Sequence, residues 1–69
     1  MVNTMFTIWF TEGGKRLCER EWPTVPRVGE TITLKDSSGL FEVIRVHWEE
    51  YTEDGAGLVA NVSLRAAAS

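Results

Sequence analysis

Apolar and polar side chains alternate with a period of two along nearly the whole chain, and no window carries the three-and-four stripe of an amphipathic helix. A chain patterned this way has to build its core from sheet alone. In residues 3–11, Phe6, Ile8 and Phe10 alternate with Thr7, Trp9 and Thr11, which predicts a strand with one apolar face. Glu12-Gly13-Gly14-Lys15 follows, and the glycine pair supplies the positive φ of a tight hairpin. Residues 16–22 read as the return strand, with Arg16, Glu19, Arg20 and Glu21 marking a charged edge. Pro23 and Pro26 then interrupt pairing, because proline has no N–H for the ladder. Residues 31–35 carry Ile32 and Leu34 on one side, and Asp36-Ser37-Ser38-Gly39 has the composition of a turn.

Residues 40–50 read as the longest strand, and its pattern changes phase partway. Phe41 and Val43 share one face, and Val46 and Trp48 join them only if one residue is skipped. A β-bulge at Ile44-Arg45 does this and bends the strand. A hairpin loop around Asp54-Gly55 occupies 51–57, and residues 58–64 close the set with Leu58, Ala60, Val62 and Leu64 on one side. Five short strands in a chain of 69 residues, with no helix to cover them, leave closure of the sheet on itself as the way to make a core and to hide its edges. The expected fold is all-β, a small five-stranded antiparallel barrel over residues 3–65, with a frayed tail at 66–69.

Two segments sharpen this. Pro26-x-x-Gly29-Glu30-x-Ile32-x-Leu34, followed by Phe41-x-Val43-x-x-Val46-x-Trp48, resembles the middle of short bacterial and bacteriophage SH3-like barrel proteins. The resemblance spans residues 26–48, about a third of the chain, and its motif encodes a turn and a bent strand. It implies an SH3-like barrel and a mobile-element origin, and no activity. An OB-like barrel is the alternative architecture.

Charge and residue counts exclude several function classes. Net charge is −3, which opposes non-specific binding to nucleic acid. Residues 1–35 hold five bases against four acids, and residues 36–69 two bases against six acids, with Glu49, Glu50, Glu53 and Asp54 clustered. Such a cluster is a solvated hairpin end or one half of a charge-complementary contact. One cysteine, Cys18, and one histidine, His47, are too few for a zinc site, and a nucleophile–base pair between them would need a folded pocket that a chain this short hardly has room for. No phosphate-loop motif, apolar membrane span or basic leader is present, so the reading is no enzyme, no cofactor, no metal, no membrane and a cytoplasmic location.

The aromatic residues remain. The core accounts for Phe6, Phe10, Phe41 and Trp48. Trp9 points away from them, Trp22 sits beside Pro23, and Tyr51 opens the last hairpin. Outward aromatics pack together, Trp9 on Trp22, or mark an interface, or form a cage for a cationic ligand to which Glu49 or Glu50 adds charge. The expectation is an interaction protein that binds itself or a host protein through Met5, Trp9, Trp22, Tyr51, Glu49 and Glu50, with Val59 adding to the apolar face. Two alternatives stand beside it. One is a single-strand nucleic-acid platform using Trp9, Tyr51, Arg16, Arg20, Arg27 and Arg45. The other is an oligomeric ring holding a small ligand on its symmetry axis.

Overall fold

A computed structural model describes residues 5–35, 39–51 and 57–67. It holds five strands and, among the described residues, no helix: β1 (Phe6–Glu12), β2 (Lys15–Trp22), β3 (Thr31–Ile32), β4 (Phe41–Tyr51) and β5 (Gly57–Ala66). Gly13 and Gly14 have φ of 59° and 83°, so the first hairpin turns through two successive left-handed residues, which matches the right-handed twist of its strands. The second connection ends in the turn Arg27-Val28-Gly29-Glu30. There the Glu30 N–H donates to Arg27 O at 3.0 Å, and the Glu30 carboxylate accepts from the Arg27 N–H at 2.8 Å.

The strands form one sheet in the order β2-β1-β5-β4-β3. Three of its four ladders are antiparallel, but β1 and β5 run parallel, from Thr7 opposite Val59 to Glu12 opposite Leu64. The expected all-antiparallel sheet is therefore corrected to a mixed one. Hairpins force antiparallel neighbours only where strands follow one another directly. β1 and β5 are separated by the rest of the domain, which acts as one long crossover. Closure is also corrected. β3 pairs over only two residues, and among the described residues no ladder joins it to β2, so the sheet curls into a half-barrel. At its far end β5 continues through Ala66, opposite Phe41, and the Ala67 N–H donates to Leu40 O at 2.8 Å.

The expected bulge is present. The β4–β5 register steps from Val43 opposite Leu64 to Arg45 opposite Ser63, leaving Ile44 as the extra residue. A second bulge, not anticipated, sits in β2. Phe10 faces Cys18 and Thr11 faces Arg16, so Leu17 is the extra residue. The β4 bulge also sets where pairing on the other side of β4 stops. Gly29 N–H donates to Val43 O at 2.9 Å, Val43 N–H donates to Glu30 O at 2.8 Å, and beyond Val43 no backbone bond reaches that edge among the described residues.

Deleting Ile44 would restore one-to-one pairing without turning any side chain over, whereas deleting Val46 would either swing His47 and Glu49 inward and Trp48 outward or, with the bulge absorbed, bury Arg45 in place of Val46. The Ile44 deletion is expected to fold with a loss of about 1–3 kcal/mol, and the Val46 deletion not to fold, as read by urea unfolding. Equal losses would mean that the bulge is not what aligns the two halves of β4.

The core lies on the concave face. Ile8, Phe10, Leu34, Phe41, Val43, Ala60, Val62 and Leu64 are buried, with Phe6, Leu17, Cys18, Trp22, Val25, Ile32 and Val46 packed around them. Among the described residues no polar or charged residue is buried. Leu34 is 2% exposed although it lies beyond β3, so it caps the core from a loop.

Candidate interaction site

The concave face is sealed at one end and open at the other, because β4 outruns β3. Past the bulge, Val46 and Trp48 still face inward and pair with β5, but on their other edge no strand pairs with them among the described residues. Their neighbour is the 25–28 segment, which Pro26 within it and Pro23 just before it keep out of the ladder. Between the two lies a groove of about 250 Å³ lined by Val25, Pro26, Arg27, Val28, Val46 and Trp48. A second hollow of about 370 Å³, sharing Val25, Pro26 and Arg27 with it, continues past Trp22, Thr24, Glu30 and Ile32.

The register brings Leu58 opposite Glu50, and Ala60 opposite Trp48, at this open end. Phe6 stacks edge-on against Trp48 with ring centroids 5.7 Å apart. Trp48 is nevertheless 42% exposed, Leu58 53% and Val28 62%. Placing Trp48 in the core is therefore corrected. Its face was read rightly, but the sheet that should have closed over it stops short.

The six residues singled out from the sequence do not form one surface. Met5 is exposed just ahead of β1, at the open end. Trp22 lies opposite Phe6 on the concave face, and its ring packs 5.3 Å from that of Phe10. That corrects its assignment to the exterior, since the Leu17 bulge shifts the alternation of β2. Trp9 is on the convex face, so Trp9 and Trp22 do not pack together. The Trp9 indole N–H donates to Glu19 Oε1 at 3.0 Å, and the Arg16 guanidinium lies 4.8 Å from its ring centroid. Glu49 sits opposite Val59 and Glu50 opposite Leu58, so successive acids take opposite faces. Val59 is outward but only 8% exposed. The Tyr51 backbone pairs with Gly57, while its side chain and the acids Glu53 and Asp54 lie outside the described residues.

The other pairings read from sequence are also separated. Cys18 belongs to the concave face opposite Phe10, and His47 to the convex face opposite Asn61. Arg16 and Arg45 share the convex face, but Arg20 is opposite Ile8 and Arg27 is in the loop, so the four arginines make no single track. Among the described residues no three His, Cys, Asp or Glu side chains gather as a metal site would need.

Sequence reasoning missed Leu58 and Val28 and gave Phe6 and Trp48 wholly to the core. The available signal was length. A strand read over residues 40–50 beside one read over 31–35 has to leave part of one edge bare, and in the structure the shorter strand pairs over only two residues. Comparison with family models, with curated proteins and with solved structures finds no match for this chain.

Proposed function

We propose that this chain is a non-enzymatic interaction protein that pairs with a second copy of itself through the open end of the half-barrel. The observation that carries the reading is the half-exposed Trp48 beside Phe6, at an end where Leu58 and Val28 are also exposed. A domain of this length buries only roughly 60% of its unfolded surface, so covering these side chains stabilises it substantially.

Three features favour a second copy as the occupant. The bare edge of β4 beyond Val43 can pair antiparallel with the same edge of another copy, and such pairing is two-fold symmetric by construction. The patch carries both a projecting indole and a groove of about 250 Å³ beside it, so it can complement itself. Its rim carries a cation, Arg27, and an anion, Glu50, which a two-fold axis would bring to each other. The bulged, bent β4 supports treating the sheet as a variant of the SH3-like small barrel, from which the parallel β1–β5 ladder departs.

Sedimentation or light scattering across a concentration series tests this. The expected mass doubles with a dissociation constant on the order of micromolar. A monomer mass up to roughly 0.5 mM, where a contact worth about −4.5 kcal/mol would already show, overturns it.

A further inference from the structure

We infer that the convex face carries a second site, which binds a single phosphate group such as a mononucleotide or other small phosphomonoester presents. The ladders align four residues across this face in one row, Arg16–Thr11–Ser63–Arg45, one from each of β2, β1, β5 and β4. With strands about 4.8 Å apart, the two arginines flank a pair of hydroxyl residues from positions about 14 Å apart, close enough for both long side chains to converge. The next row is Glu19–Trp9–Asn61–His47. Between the rows lies a depression of about 270 Å³ lined by Thr11, Gly14, Arg45, His47, Asn61 and Ser63.

The polar groups here are arranged rather than scattered. The Thr11 hydroxyl donates to Asn61 Oδ1 at 3.4 Å, which leaves the Asn61 amide N–H groups for another acceptor. Glu19 takes the Trp9 indole N–H and steadies the ring, and the ring holds the Arg16 guanidinium over its face. A guanidinium stacked in this way keeps its in-plane N–H groups for an anion. The Arg45 and His47 side chains have no hydrogen-bond or ion-pair partner among the described residues. Arg45, the Asn61 amide and the Ser63 hydroxyl line the hollow, and Arg16 stands over Trp9 in the same row of strands, a donor set suited to the three acceptor oxygens of a phosphomonoester.

Acids bound the site on both sides and set the size of the ligand. Glu21 and Glu49 occupy the row beyond Trp9, and on the other side Glu42 is held by Arg65 at 2.9 Å. A long polyanion running past Trp9 would meet the Glu21 and Glu49 carboxylates, so the footprint suits one phosphate rather than a strand.

The test is a two-dimensional amide NMR titration of the full chain with inorganic phosphate, with adenosine monophosphate and with a ten-nucleotide oligothymidylate. Both small ligands are expected to shift Thr11, Arg45, His47 and Ser63 and to compete with each other. Arg45→Ala is expected to weaken them by about tenfold or more, and Arg45→Lys by less. Arg45 is exposed, so an unchanged melting temperature separates lost binding from lost fold. The site is overturned if neither small ligand shifts these residues at roughly 10 mM, a concentration beyond any useful affinity. It is also overturned if Arg45→Ala binds as the parent does, or if the oligonucleotide binds tighter than the mononucleotide by more than its number of phosphates.

Discussion

Phe10→Ala is expected to strip the domain of about 3–5 kcal/mol, a third or more of its stability. Phe10 is fully buried in the middle of the concave face, opposite Cys18 on β2 and Val62 on β5, with the Trp22 ring against it. Truncating a buried phenylalanine costs about 3–5 kcal/mol, through lost transfer energy and the cavity left behind. A domain of 69 residues has about 3–10 kcal/mol to lose. The half-barrel is poorly placed to absorb the loss, because no second layer can collapse into the hole. Circular dichroism with urea titration reads the result, and a cooperative transition losing less than about 1 kcal/mol would contradict it. Trp9→Ala, on the convex face, serves as the comparison and is expected to cost far less.

Trp48→Asp is expected to yield a folded monomer. The residue is 42% exposed, so the substitution places its charge mostly in water within one copy. Between two copies the same carboxylate would be sealed in an apolar contact, facing its own symmetry mate. Loss of a central tryptophan costs an interface about 2 kcal/mol or more, at least a thirtyfold weaker association, and the buried charge adds to that. Light scattering of the variant beside Trp48→Phe, which retains a ring next to Phe6, makes the comparison. A dimeric Trp48→Asp would show that the open end is not the contact. Trp9→Ala is expected to leave association unchanged, because Trp9 lies on the other face of the sheet.

The contrast between these tryptophans shows what the sequence could convey. Strand positions and faces follow from side-chain alternation, and even the bulge at Ile44 was readable, because Phe41-x-Val43 and Val46-x-Trp48 are out of phase by one residue. The shift at Leu17 was not readable. β2 alternates charges rather than apolar residues, so slipping it by one leaves no visible error, and Trp22 was assigned to the wrong side. Neighbour order is further out of reach. Alternation says that β1 and β5 each have a buried face, but not that they lie side by side or run the same way. The same gap hid the site. Trp48 was given its correct face, but its exposure depends on β3 ending after Ile32, and the alternating pattern continues to Leu34. Leu34 is buried from a loop, so it satisfies the pattern without extending the strand.

The position of β5 between β1 and β4 has a consequence for synthesis. The two early strands can zip into a hairpin as soon as they leave the ribosome, and β4 can find β3. Neither half can seal its apolar face, because the strand that joins them is made last. A nascent chain stalled before Ala60 would hold two sticky ribbons with no seam between them. Productive folding therefore waits on translation through Leu64 and on contacts distant in sequence, the kind that form slowly.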